Sequence, residues 1–152
     1  MAFIKSFGYA VRGIWYCVRH ERNFRIHLGI TAYVLAFAPY FSLGRTEWAL
    51  LTVLIALVLG AEAVNTAVER TVDLASLERQ PRARAAKDAA AGAVLLCAAA
   101  AVITGILLFA RFDVWERILA DFLENPVKIG LLVLSVPFVL WFILRGGSKD
   151  KL

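Results

Sequence analysis

The sequence has few charged residues for its length, and this shortage excludes most soluble proteins. Charged residues make up 19% of the 152 residues, against roughly 25% in ordinary soluble domains. Apolar residues make up 61%, whereas about 45–50% is usual. A soluble domain built from these residues would lack a polar coat. The composition argues against a soluble enzyme, a nucleic-acid-binding protein or a disordered tail, and it indicates a small integral membrane protein.

Cysteine is also scarce, and several common site motifs are missing. Cys17 and Cys97 stand in separate apolar contexts, with no CxxC or Cys/His spacing. This pattern predicts neither a zinc site nor a disulfide framework, so we interpret both cysteines as packing residues. The sequence contains no GxxxxGK[ST] loop and no protein-kinase signature, which excludes those two phosphoryl-transfer folds.

Four segments are apolar enough to cross a bilayer, namely residues 26–44, 48–70, 89–110 and 128–144. Because a transmembrane helix needs about 20 residues, we expect the first three to form core spans. The fourth is short and contains Pro137, so it is a candidate span within a C-terminal extension, residues 113–152. The sequence therefore predicts an all-α membrane protein.

The N-terminal residues have the pattern of an amphipathic helix. Apolar residues recur every three or four positions, while Lys5, Arg12 and Arg19 occupy another face. We expect a surface helix over residues 2–24 that lies on an anionic membrane surface, packs on the bundle, or does both. With a cytoplasmic N-terminus and four spans, 13 of the 17 lysines and arginines fall on the cytoplasmic side, as the positive-inside rule requires.

Polar residues interrupt the second span at helical spacing. Glu62, Asn65, Glu69 and Asp73 are three, four and four residues apart, so they share one face of a helix. Glu62 lies about 21 Å along that helix from Trp48, within the cytoplasmic third of the membrane. An ionisable residue at this depth marks a functional site by default. The structural alternative is an interhelical hydrogen-bond clamp or a carboxylate paired with arginine.

This stripe has the chemistry of phosphoryl transfer. Its oxygen ligands suit Mg²⁺, and a carboxylate in apolar surroundings can act as a general base. Glu21 precedes the first span at the same interface, and Lys87 and Asp88 open the third span, where a lysine can meet a phosphate. Carboxylates for Mg²⁺ and a lysine for phosphate are the minimal set for this reaction. Two other classes stay open, a cation- or proton-conducting protein and a non-catalytic assembly protein held by polar helix contacts.

Three segments resemble the bacterial integral-membrane diacylglycerol kinase/undecaprenol kinase family. They read ERNFRIH from Glu21, EAVNTAVERTVD from Glu62 and AKDAAAGAV from Ala86, and the similarity covers about residues 5–110. The resemblance implies that residues 1–112 form a three-span lipid kinase domain in the bacterial inner membrane. It also implies a homotrimer with cytoplasmic active sites that uses ATP with Mg²⁺ to phosphorylate a lipid alcohol.

The resemblance assigns roles position by position. It implies that Glu62 is the general base that takes the proton from the lipid hydroxyl. It implies that Glu21 and Glu69 are the carboxylates that bind Mg²⁺ and the nucleotide. The remaining residues on the ATP side would be Tyr9, Asn65, Asp73, Glu78, Lys87 and Asp88.

The three segments also bear on which lipid is the substrate. The three segments look more like the undecaprenol kinase branch, so we expect undecaprenol, with diacylglycerol as the alternative. His27 stands where the diacylglycerol branch has an acid.

The sequence departs from the family pattern in two places. The family's Glu-Tyr-His-Pro connector reads Glu-Arg-Gln-Pro at residues 78–81, and residues 113–152 exceed the usual family length. The plainest interpretation of the extension is a peripheral helix that packs on the trimer or anchors the C-terminus.

Overall fold

The computed structural model describes residues 2–75 and 80–145, and within these ranges every regular element is a helix. A short 3₁₀ segment, Ala38–Phe41, follows the second α-helix. The fold class predicted from the sequence is confirmed. The α-helices in the described ranges are α1 (Ala2–His20), α2 (Arg22–Phe37), α3 (Arg45–Ala75), α4 (Pro81–Phe109), α5 (Phe112–Glu124) and α6 (Pro126–Arg145).

Four of these elements are long and apolar enough to cross a membrane. They are α2 with its 3₁₀ extension, α3, α4 and α6. Helix α3 has 31 residues, which corresponds to about 46 Å, so it exceeds a hydrocarbon core of about 30 Å. Its excess length allows its C-terminal turns to extend beyond the apolar layer. Helix α6 continues through Pro137, so the candidate fourth span is one membrane-length helix.

Three helices end at residues other than those predicted from the sequence. The surface helix ends at His20, four residues early, because Glu21 has an extended backbone and residues 22–24 already belong to α2. Helices α3 and α4 continue beyond the predicted spans to Ala75 and back to Pro81. Their added turns are polar. The length of an uninterrupted apolar run therefore underestimates the length of a helix that reaches the headgroup layer.

Helix α2 lies between α3 on one side and α6 on the other, while α3 and α4 form the most extensive helix pair. The contacts of Arg25 with Ile143 and of Tyr33 with Ser135 show that α2 and α6 are antiparallel. The two helices therefore bring the start of the first span next to the end of the C-terminal extension.

At the opposite end of the bundle, α5 covers an aromatic cluster. Phe41, Val114 and Ile118 are buried there, with Phe37 and Phe109 among the partly buried residues around them. The Arg111 guanidinium donates a hydrogen bond to the Phe41 carbonyl oxygen at 3.0 Å. The connector after α4 is therefore an amphipathic helix that closes this end of the bundle. Because it lies away from Glu62, this end is called the outer end.

Candidate active site

Helix α3 turns its polar stripe toward the other helices. Glu62, Asn65 and Thr66 are buried, and only 4%, 9% and 6% of their respective surfaces are exposed. The Asn65 side-chain nitrogen donates a hydrogen bond to Glu69 Oε1 at 3.0 Å. The helical spacing therefore places these polar groups on one face of α3, and that face is covered rather than open to lipid.

Among the described residues, the ionisable side chain in contact with Glu62 comes from α2. His27 Nε2 lies 3.3 Å from Glu62 Oε1, with the imidazole partly exposed and the carboxylate almost fully buried. Sequence reasoning used His27 only to distinguish two branches of a family and did not place it in the site. The missed signal was an imidazole in the first turns of an apolar span, where ionisable residues are rare and usually functional.

Glu21 reaches the same region from the break between α1 and α2. Its Oε1 lies 3.6 Å from an Arg70 guanidinium nitrogen, and that guanidinium also lies 5.4 Å from the centre of the Tyr16 ring. Glu21 and Glu69 both interact electrostatically with Glu62. The structure therefore brings Glu21, Glu62 and Glu69 to one end of the bundle.

The remaining predicted residues form a second, more exposed group or lie elsewhere. Asp73 accepts a hydrogen bond from the Lys87 ammonium group, and Asp88 lies 3.8 Å from Arg84. Tyr9 is exposed under the Arg12 guanidinium, about 18 Å along α1 from Glu21. Within one chain the structure thus does not bring Tyr9 to the Glu62 carboxylate. Glu78 lies outside the described residues.

A comparison with protein-family models matches residues 8–109 to the prokaryotic diacylglycerol kinase family. The chain belongs to this family. Its members are lipid kinases, so the protein is an enzyme of the membrane that uses ATP as its phosphoryl donor. This assignment favours the phosphoryl-transfer interpretation of the polar stripe over the conducting and assembly alternatives.

Curated relatives carry two substrate names. The chain is 45% identical over 107 residues to the undecaprenol kinase of Bacillus subtilis, covering 70% of this chain and 87% of that protein. It is 44% identical over 101 residues to a diacylglycerol kinase of Synechocystis, covering 66% of this chain and 58% of that protein. A Pseudomonas aeruginosa diacylglycerol kinase is 31% identical over 101 residues, again 66% of this chain and 82% of that protein. No solved structure shows a significant match to the chain.

The candidate site has the donor chemistry that Mg²⁺ prefers. Glu21 and Glu69 provide carboxylates, and the Asn65 amide oxygen is buried without a hydrogen-bond partner among the described residues. Those residues contain no group of three or more acidic, histidine or cysteine side chains arranged to hold a metal by themselves. Mg²⁺ commonly binds one or two carboxylates together with substrate phosphates and water, so this limited donor set fits a metal that arrives with ATP.

An apolar cavity of about 260 Å³ begins beside the catalytic candidate. It lies between α2, α3 and α4, and His27 is the ionisable residue among the described residues of its lining. From His27 the cavity extends along the helices to Phe109 at the other end of α4. Representative lining residues are His27, Val34, Leu51, Val58, Val102 and Phe109.

Proposed function

We propose that the protein transfers the γ-phosphoryl group of ATP to undecaprenol at the cytoplasmic face of a bacterial inner membrane. The observation that carries this proposal is Glu62, a buried carboxylate in an apolar span that lies 3.3 Å from His27 and interacts electrostatically with Glu69 and Glu21. A buried carboxylate beside an apolar cavity can meet a hydroxyl whose hydrocarbon chain remains in the membrane. The undecaprenol kinase name of the Bacillus subtilis relative supports the choice of lipid.

Glu62 is the proposed general base. Its carboxylate takes the proton of the lipid hydroxyl while the hydroxyl oxygen attacks the γ-phosphorus of ATP. The new P–O bond forms as the bond between the γ-phosphorus and the bridging oxygen breaks, and ADP leaves. His27 can donate a hydrogen bond from Nε2 to Glu62, which would keep the carboxylate pointed at the hydroxyl.

The nucleotide side is proposed to combine residues from α1, α3 and α4. Glu21 and Glu69 would hold Mg²⁺, which neutralises phosphate charge when bound. Lys87 is kept at the same end by Asp73, and its ammonium group can exchange this partner for a phosphate. The other residues proposed for ATP binding are Tyr9, Asn65, Asp73, Glu78 and Asp88.

The cavity supports an isoprenoid substrate, and the relatives support one alternative. A lipid whose hydroxyl lies at Glu62 has an apolar path along α2 and α3 for part of its chain. Diacylglycerol also has a hydroxyl and apolar chains, and the names of the Synechocystis and Pseudomonas relatives favour it. Diacylglycerol kinase activity is therefore the second candidate.

We also propose a homotrimer with cytoplasmic active sites. Tyr9 is exposed and distant from the Glu62 cluster of its own chain, so a neighbouring copy offers a way to bring it to a nucleotide. The distribution of lysine and arginine supports the orientation. Chemical cross-linking in membranes tests the number of copies independently of activity.

The substrate test uses purified protein in lipid vesicles with radiolabelled ATP and Mg²⁺. Undecaprenol, diacylglycerol and ceramide are offered separately, at equal mole fractions. We expect undecaprenol to give the highest kcat/KM. A higher value for diacylglycerol would replace the proposed lipid with the second candidate, and failure to phosphorylate any of the three would contradict both.

A further inference from the structure

Helix α6 lies outside the family match, yet it contacts the first span close to the kinase site. The Arg25 guanidinium donates a hydrogen bond from Nε to the Ile143 carbonyl oxygen at 3.3 Å. Eight residues away along each helix, about 12 Å, the hydroxyl groups of Tyr33 and Ser135 are 3.0 Å apart. These contacts hold the C-terminal half of α6 against α2.

Arg25 connects α6 to a second helix end. Its Nη1 donates hydrogen bonds to the carbonyl oxygens of Val18 and Arg19, at 3.2 and 3.0 Å. The residue is only 2% exposed. The acceptors lie in the last turn of α1, as Ile143 lies in the last turn of α6. The last carbonyls of a helix lack partners within the helix and carry the negative end of its dipole, so this guanidinium caps two helices at once.

Glu21 lies within the segment that Arg25 holds. It follows the capped end of α1 and precedes α2, where its backbone is extended and its amide donates to the Cys17 carbonyl oxygen at 2.9 Å. Movement of Arg25 would therefore move the α1 end relative to α2 and displace the Glu21 carboxylate. We infer that α6, acting through Arg25, positions Glu21 for Mg·ATP, which makes Arg25 a positioning residue. This inference rests on the proposed role of Glu21.

Substitutions at Gly29 can test the coupling between α6 and Glu21 while Arg25 itself stays unchanged. A Cβ atom at Gly29 would lie 2.9 Å from Val139 Cγ1, so α6 approaches α2 closely at a position where a larger residue forces a shift. Gly29→Leu should push α6 away from α2. Gly130→Leu is the matched control, because Gly130 is exposed on α6 and nothing lies within 4 Å of its added Cβ.

The kinetic test measures KM for Mg·ATP and kcat in the full-length protein. Gly29→Leu and Arg25→Gln should each raise KM about tenfold. Gly29→Leu displaces the Ile143 acceptor of Arg25, and Arg25→Gln removes the charged donor itself. In both variants kcat should change less than about twofold, because Glu62 remains in place. Arg25→Lys should recover part of the loss, and Gly130→Leu should behave as wild type. Unchanged KM in Gly29→Leu and Arg25→Gln, or a fall in kcat alone, would overturn the inference.

A second readout does not depend on activity. Cys17 is buried near the end of α1, at 4% exposure, and burial raises the pKa of its thiol. In a Cys97→Ala background, a maleimide should label Cys17 at least about fivefold faster in Gly29→Leu than in Gly130→Leu, because loosening α1 exposes the thiol. Equal labelling rates would show that α6 does not hold α1.

A complementary pair separates packing from loss of folding. Gly29→Ala should give a smaller rise in KM, and Val139→Ala in the same chain should reverse it by removing the clashing Cγ1 atom. Glu21→Gln distinguishes the proposed role of Glu21 in binding Mg·ATP from its proposed positioning by α6. If Glu21→Gln leaves KM unchanged, the proposed role of Glu21 fails. If Glu21→Gln raises KM while the Gly29 variants do not, the coupling through α6 fails alone.

Discussion

The two ends of the bundle both place carboxylates near cations, but they differ in how completely the polar groups are paired. At the outer end, Asp121 accepts hydrogen bonds from the Tyr40 hydroxyl at 3.1 Å and from Lys128 at 2.7 and 2.5 Å. At the end that carries the proposed kinase site, called the kinase end, Glu62 has a single close imidazole contact among the described residues. The Asn65 amide oxygen is buried there without a partner among those residues. Fully paired polar groups stabilise a fold, whereas unpaired buried groups require another explanation, such as a ligand.

The largest expected difference between the two ends is catalytic. Glu62→Gln should reduce kcat by about 10²–10⁴-fold, because the amide cannot accept the hydroxyl proton. Asp121→Asn is the matched control at the outer end and should leave kcat near wild type. Steady-state kinetics with the phosphorylated lipid as product checks both. Full turnover by a folded Glu62→Gln protein would remove the assignment of the base.

The reverse difference is expected for stability. Phe41 is 1% exposed in the outer aromatic cluster, so Phe41→Ala should lower the free energy of unfolding by about 3–5 kcal/mol. Phe112→Ala makes the same chemical change at a residue that is 83% exposed, and its effect should be small. Unfolding in detergent micelles measures both variants. A similar loss in both would show that the cluster does not hold the outer end together.

The nucleotide side of the kinase end should respond differently from Glu62. Glu69→Gln should raise KM for Mg·ATP by about tenfold, equivalent to about 1.4 kcal/mol, because it removes a proposed Mg²⁺ ligand. Titration of Mg²⁺ at fixed ATP should show a parallel loss of metal affinity. Unchanged affinity for both would refute the role of Glu69 while leaving that of Glu62 intact.

His27 is expected to affect turnover without affecting the nucleotide. His27→Ala should lower kcat about tenfold, since Glu62 loses an orienting hydrogen bond, and KM for ATP should stay near wild type. His27→Gln retains a side-chain N–H donor and should recover part of kcat. Equal kcat in the alanine, glutamine and wild-type proteins would show that the 3.3 Å contact does not orient the base.

Much of this architecture is encoded in local patterns. The spacing of Glu62, Asn65 and Glu69 was enough to place them on one face of a helix, because helical periodicity depends only on sequence separation. The four apolar segments predicted the membrane-length helices for a similar reason. The positions of these helices relative to one another could not be obtained in this way.

Contacts between distant segments were the part that sequence patterns could not supply. The pairing of His27 with Glu62 joins residues on different helices, and Arg25 contacts Ile143 across 118 positions. A turn at Glu21 between the surface helix and the first span was expected, but the helix bound was not, because the surface helix was extended to residue 24 and it ends at His20. The turn at Glu21 is stabilised by the tertiary contacts of Arg25, which local helix propensities do not predict.

The smallest expected effect concerns the paired carboxylate at the outer end. The hydrogen bond from Lys128 is the main cause that lowers the pKa of Asp121 below its ordinary value of 3.8. Since the folded-state pKa is below the unfolded one, the ion pair contributes stability above about pH 3.8 and loses it as the pH falls further. Both side chains are partly exposed, so solvent weakens the interaction. Asp121→Asn should therefore lower the melting temperature by only a few degrees at pH 6, and the two melting curves should converge below pH 3.8. A difference that persists unchanged into acid would show that the carboxylate charge does not stabilise the outer end.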